Sequence, residues 1–192
     1  MLTKSINLKN FSIKSNKKNL QKKLKKILNH KNELFNSLGK GYKDKYKISK
    51  IKNISKNKDI RLIGVGGSIL GSQAIYYFLK NKIKKNFIFE DNLLPKKNLD
   101  IKKNFTNLII SKSGNTIETI TNLNIFTKKE CKNIFITENK SSYLLNIAKK
   151  LKSEVIEHNS FIGGRYSVLS EVGMLPAQLM GLDPKKFRQF DN

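Results

Sequence analysis

Only one cysteine, Cys131, occurs among the 192 residues, so no internal disulfide can form. That suits a reducing compartment and predicts a cytoplasmic protein. Long apolar runs are missing too. None approaches the roughly 18–20 residues that a membrane span requires, and residues 1–10 lack the apolar centre of a signal peptide. Arginine is scarce: 3 of the 39 basic residues are Arg and the rest are Lys. The net charge of +25 would otherwise suggest nucleic acid or an anionic surface. Base and phosphate recognition leans on the planar guanidinium fork, however, and no arginine cluster is present. Lys, Asn and Ile together make 82 of the 192 residues, and all three have A/T-rich codons. The excess lysine therefore reads as compositional bias on solvated faces, with neither a specific nucleic acid nor a membrane as partner. Apolar residues make up a modest 38%, but their periodicity is clear, and the length suits one domain with a sizeable core.

What is present centres on residues 61–72, Arg-Leu-Ile-Gly-Val-Gly-Gly-Ser-Ile-Leu-Gly-Ser. An apolar run (Leu62, Ile63, Val65) meets a glycine pair and Ser68. Leu70, Ala74, Tyr77 and Phe78 then recur at helical spacing. This pattern predicts a buried parallel strand feeding a helix through a tight loop. Free N–H groups and the positive helix end then point at one spot, where a phosphate is the usual occupant. Glycine at 66 and 67 removes Cβ atoms that would block close approach.

Before this stretch, residues 19–38 read as one amphipathic helix lying over one side of the domain. Its stripe is Leu20, Leu24, Ile27, Leu28, Phe35 and Leu38, with lysines opposite and His30 in a polar setting. Residues 39–59 read as a lysine-rich connection. After it, strands are predicted at 60–65, 87–90, 107–110, 133–136 and 154–156. Helices are expected between them, including one with Ile117, Ile120, Leu123 and Phe126 or Thr127 and one over 142–151 capped by Ser141 or Ser142. Such alternation specifies an open, doubly wound α/β/α fold with a five-stranded parallel sheet in flavodoxin-like order. The dinucleotide fingerprint G-x-G-x-x-G is absent, and Glu90 and Asp91 are the nearest acidic candidates for a ribose contact.

Two further constellations carry chemistry. Ser111, Ser113 and Thr116 place three hydroxyls in one six-residue loop before a helix, with Lys112 adding charge. Ser113 or Thr116 is also placed to cap that helix, with Glu118 in its first turn. In strand order 2-1-3-4-5, the loops of Ser68 and Ser111 lie side by side at the switch point, where ligands bind. Residues 161–170, Phe-Ile-Gly-Gly-Arg-Tyr-Ser-Val-Leu-Ser, deliver Arg165 just before a helix expected to begin near Tyr166 or Ser167. Arg165 has two possible roles: pairing with Glu171 or Asp183, or facing negative charge that develops on a ligand.

Three blocks, Gly-Val-Gly-Gly-Ser-Ile-Leu-Gly (64–71), Ser-Lys-Ser-Gly-Asn-Thr-Ile-Glu-Thr (111–119) and Gly-Gly-Arg-Tyr-Ser-Val-Leu-Ser (163–170), together resemble the glucose-6-phosphate isomerase family in order and spacing. The resemblance covers about 60–183 and implies the first sugar-isomerase (SIS) domain of an enzyme that interconverts glucose 6-phosphate and fructose 6-phosphate in glycolysis and gluconeogenesis. By matching position, Ser68, Ser111, Ser113 and Thr116 would hold the substrate phosphate, helped by the backbone at Gly67 and by Lys112. Arg165 would stabilise the enediolate. No metal or organic cofactor is implied, and the complete protein is expected to be a homodimer. The chain departs from the family in carrying Ile69 where an Asp usually follows the Gly-Gly-Ser. Its Ser-Gly-Asn-Thr is closer to the wider group of sugar-phosphate isomerase domains. The base Glu and the ring-opening His and Lys of the family's later half have no counterpart here. Residues 1–59 are thus expected to be a helical leader, 60–183 the SIS domain, and 184–192 the start of a following segment, so that the chain reads as an N-terminal fragment inactive by itself. The alternative readings are a non-catalytic sugar-phosphate-binding SIS module and a related sugar-phosphate isomerase.

Overall fold

The computed structural model describes residues 17–29, 33–47, 49, 51, 56–93, 105–127 and 131–189. Helices α1 (Lys17–Leu28) and α2 (Glu33–Asn36) precede an alternating series. This runs β1 (Asp59–Ile63), α3 (Leu70–Phe78), β2 (Asn86–Glu90), β3 (Thr106–Ile110), α4 (Ile117–Phe126), β4 (Lys132–Thr137), α5 (Tyr143–Lys150), β5 (Glu154–Glu157) and α6 (Glu171–Leu179). All five strands are parallel and stand in the order β2-β1-β3-β4-β5.

Strand residues alternate between two apolar layers because successive side chains leave opposite faces of a sheet. Ile60, Leu62, Leu108, Ile110, Ile134 and Ile136 pack with α3 and α6 on one side. Ile63, Ile109 and Phe135 pack with Leu123 and Phe126 of α4 and Leu144 and Ala148 of α5 on the other. Sheets covered on both faces have continuously apolar strands, and β3 is buried along its whole length. An ion pair lies within this core. Arg61, only 2% exposed, is stacked between the rings of Phe105 (4.3 Å) and Phe126 (4.5 Å), with Glu90 3.7 Å from its Nε. Glu90 is therefore turned into the sheet, and Asp91 accepts a hydrogen bond from Gln73 Nε2 at 3.0 Å. Neither presents the free carboxylate that a ribose contact requires.

Three expectations need correcting. The helix expected over 19–38 stops at Leu28, with Asn29 in a turn, and α2 is a separate short helix. Its stripe residues Leu20, Leu24 and Ile27 stay exposed, so along them α1 does not cover the domain; His30 lies outside the described residues. In α3 the apolar stripe faces outward, with Leu70 at 58%, Tyr77 at 64% and Phe78 at 85% exposed. Ser72, Ile75 and Tyr76 form the inner face instead, and small Ser72 lets α3 approach α6, its Oγ 3.5 Å from Val172 O. The connection over 39–59 is also more than a linker. Tyr42 Oη and Lys45 N donate to the carboxylate of Glu171, and Asp44 forms a two-pronged pair with Arg188.

A candidate sugar-phosphate site at the sheet switch point

The loop after β1 turns through a short 3-10 segment, Gly66–Ser68, held by Ser68 N donating to Val65 O and Ile69 N to Gly66 O. Gly66 sits at φ +58°, where an L side chain is strained. The same loop lies against β3. A Cβ on Gly64 would stand 2.9 Å from Ile110 O and 3.2 Å from the Ser68 Cβ, so half-buried Ser68 sits over the ends of both central strands.

The loop after β3 is organised by its own hydroxyls. Ser111 is buried, with its Oγ 2.9 Å from Thr116 Oγ1 and accepting from Gly114 N at 3.2 Å. Exposed Ser113 accepts from Asn115 N at 3.2 Å, closing a tight turn through Gly114 at φ +67°. Neither Ser113 nor Thr116 caps α4. Thr116 occupies the N-cap position, yet its side chain accepts no bond from the first turn and faces Ser111. That leaves the α4 N-terminus, with its partial positive charge, open to an anion. The neighbouring β4–α5 loop braces the turn: Leu144 N donates to Gly114 O and Tyr143 N to Asn115 Oδ1. As expected, Ser142 caps α5. Lys112 is drawn aside, its Nζ donating to Ser160 O at 2.7 Å and lying 3.6 Å from Glu138.

The third segment closes onto the first. A Cβ on Gly67 would lie 2.2 Å from Gly164 O and 2.9 Å from Arg165 N, so the two backbones touch. Arg165 rides on a 3-10 turn, Gly164–Leu169, and α6 begins only after Ser170 caps it. Ser167 locks the contact, donating to Gly164 O (2.7 Å) and approaching Gly67 O (3.3 Å). Its hydroxyl, two residues after Arg165, was not singled out as a site residue by sequence reasoning, although it lies within the third motif block. The carboxylates offered as structural partners for Arg165 are occupied elsewhere: Glu171 by Tyr42 and Lys45, and Asp183 by Lys185 N in a cap. Arg165 is exposed, with no carboxylate at ion-pair distance among the described residues.

Two buried titratable groups flank this end of the sheet. Burial raises the carboxyl pKa of Glu171, against hydrogen bonds that lower it. Burial likewise pushes the His158 imidazole below its ordinary value of 6.5, and Lys112 adds to the effect. His158 thus takes up a proton more readily in the unfolded chain. Stability should be fully present above about pH 6.5 and fall as pH drops below it, at no more than about 1.4 kcal/mol per pH unit. Denaturant titrations between pH 7 and 5 should show a shallower loss in His158→Gln than in the parent, and equal slopes would reject this cause.

The motif residues Gly67, Ser68, Ser111, Ser113, Thr116 and Arg165 thus lie on loops that meet at the C-terminal ends of β1 and β3, while the Lys112 ammonium is engaged beside them. The profile of the family described as "Phosphoglucose isomerase" matches residues 4–190. The glucose-6-phosphate isomerase of Methanocaldococcus jannaschii is 36% identical over 151 residues, covering 72% of this chain and 37% of that protein. The glucose-6-phosphate isomerase of Acholeplasma laidlawii is 39% identical over 162 residues, covering 73% and 38%. The match therefore spans less than two fifths of these relatives' length. Among solved structures, a hypothetical protein from Thermus thermophilus superposes with TM-score 0.66 at 22% identity, over 88% of this chain and 45% of that one. Tagatose-6-phosphate ketose/aldose isomerase from Escherichia coli gives 0.55 at 17%, over 72% and 42%, which supports the same fold. With a profile matched over nearly its whole length and curated relatives above 30% identity, this chain belongs to the phosphoglucose isomerase family.

Proposed function

We propose that this chain provides the phosphate-holding and enediolate-stabilising part of a glucose-6-phosphate isomerase. The observation that carries the reading is the meeting of three loops: Ser68 beside the end of β3, the Ser111–Thr116 hydroxyl pair, and Arg165 beside Gly67. A phosphate dianion accepts hydrogen bonds from hydroxyls and backbone N–H groups, and the helix dipole favours it. Ser68, Ser111, Ser113 and Thr116, with the Gly67 backbone, would supply those donors, and Lys112 would add long-range charge from its tether. Holding the phosphate uses remote binding energy to fix the reacting carbons.

Aldose–ketose conversion removes a proton from the carbon next to a carbonyl and returns it to the neighbouring carbon. Between these steps an enediolate oxygen carries negative charge, and a preplaced guanidinium stabilises it. Arg165, free of carboxylate partners among the described residues, suits that task. The role assigned to these residues is binding and charge stabilisation. The same reading takes 60–183 as the SIS unit, a homodimer as the complete protein's working form, and the cytoplasm as its compartment. The single buried Cys131 is compatible with that compartment. No helix among the described residues is long and apolar enough to cross a membrane.

The test titrates the chain with fructose 6-phosphate and with a planar sugar-phosphate hydroxamate that mimics the enediolate. Ser111→Ala with Thr116→Val should weaken both ligands roughly 100-fold, since each hydrogen bond to a charged group contributes about 1.5–3 kcal/mol. Arg165→Lys should weaken the hydroxamate at least about tenfold and barely change fructose 6-phosphate, because a point charge replaces a planar fork. Unchanged fructose 6-phosphate affinity in the hydroxyl variant rejects the phosphate role. Equal effects of Arg165→Lys on both ligands reject the enediolate role.

A further inference from the structure

The segment that carries Arg165, residues 160–170, leaves the end of β5 past Asn159 and enters α6 at Glu171. Its crest is exposed at Arg165 and Tyr166, while buried Ile162 and Ser167 anchor its underside. Its two ends are held from much earlier in the chain. Glu171 is fully buried, and its carboxylate accepts from Tyr42 Oη at 2.9 and 3.0 Å and from Lys45 N at 3.0 Å. The same Tyr42 hydroxyl is hydrogen-bonded to the side chain of buried Asn159. Asn159 Oδ1 already accepts from Phe161 N at 3.0 Å, so the amide nitrogen is the group that donates to Tyr42. A phenol both donates and accepts, and one hydroxyl therefore joins the residue before the loop to the residue after it.

Lys45 repeats the bridge, its Nζ 3.0 Å from Glu157 while its backbone N holds Glu171. That outer ion pair is exposed and contributes little, whereas the bonds to Glu171 are buried, where a carboxylate that loses a donor is costly. Tyr42 is thus the member of the bridge with most leverage. Closing the base of a loop removes conformational freedom from its crest, where Arg165 stands. The phosphate donors are held separately: Ser111 and Thr116 by each other, and their turn by the brace from the β4–α5 loop.

We infer that Tyr42 is a positioning residue: by bridging Asn159 and Glu171, its hydroxyl fixes the loop that aims the Arg165 guanidinium at the enediolate oxygen. The inference rests on the enediolate role proposed for Arg165. Tyr42→Phe keeps the ring beside Arg188 and removes only the hydroxyl. Titrated by calorimetry, the whole chain carrying Tyr42→Phe should bind the planar hydroxamate about fivefold more weakly, the scale expected of a residue that does not touch the ligand. Its affinity for fructose 6-phosphate should stay near that of the parent. In the Arg165→Lys background the same substitution should cost nothing further, because the group that it positions is already gone; such non-additivity marks residues that act through one another. Additive losses would mean a general softening and would overturn the positioning role. So would an unchanged hydroxamate affinity in Tyr42→Phe, or equal losses on both ligands. An effect of Arg165→Lys without one of Tyr42→Phe overturns the positioning role alone, whereas no effect of Arg165→Lys on the hydroxamate overturns the enediolate role and the positioning role with it.

Discussion

Gly67→Ala is expected to abolish sugar-phosphate binding while leaving the parallel sheet folded. The new methyl would stand 2.2 Å from Gly164 O and 2.3 Å from its carbonyl carbon. Both atoms are backbone, so no rotamer change relieves the clash, and one segment must move away from the other. Overpacking of this kind costs roughly 1–3 kcal/mol or more. The movement acts where Arg165 and the Gly66–Ser68 turn adjoin, so the affinity for fructose 6-phosphate should fall at least about 100-fold, given the steep dependence of binding on placement. Calorimetric titration beside a far-ultraviolet circular dichroism spectrum separates lost binding from lost fold. Gly66→Ala is the matched control: nothing lies within 4 Å of its Cβ, and the cost is backbone strain at φ +58°, of order 1–2 kcal/mol. Parent-like affinity in Gly67→Ala would show that the contact with Gly164 does not hold the site.

The second large effect concerns stability. Arg188 is 3% exposed, with two guanidinium nitrogens on Asp44, Nε donating to Leu169 O at 2.8 Å, and the Tyr42 ring 4.8 Å away. Asp44→Ala leaves a buried guanidinium without its counter-charge, which costs about 3–5 kcal/mol. For a chain of this length that corresponds to a thermal midpoint roughly 10 °C lower. Replacing both partners with apolar residues, Asp44→Leu with Arg188→Met, should recover most of the loss, because no unpaired charge is then buried. A thermal midpoint within about 2 °C of the parent for Asp44→Ala, by the same scaling, would show that the pair contributes little. Leu169 closes the turn that carries Arg165, so the single variant should also loosen that guanidinium's placement.

Strands alternating with helices were legible because a doubly covered parallel sheet needs apolar runs, and each predicted strand lies within two residues of its place. The neighbourhood of Ser68 and Ser111 was legible too. Strand order at a switch point constrains which loops meet, even when Ser68 and Ser111 stand 43 positions apart in the sequence. Spacing alone could not show what faces what. The α3 stripe of Leu70, Tyr77 and Phe78 has helical periodicity, but periodicity does not say which face meets the sheet. Burial of Ser72 there depends on how closely α6 approaches. The ties from Tyr42 and Asp44 to Glu171 and Arg188 span well over a hundred residues, and no local pattern encodes them. The capping expected of Thr116 failed for a related reason: its hydroxyl had a competing partner, Ser111, across the turn.

The seam between residues 64–71 and 163–170 constrains how this protein can be rebuilt. Gly67 touches Gly164 and Gly71 leaves room for Val168, so each stretch is the mould for the other. A chimera that takes only one stretch from a distant homologue inherits a mismatched joint, whereas one that transplants both together keeps the fit.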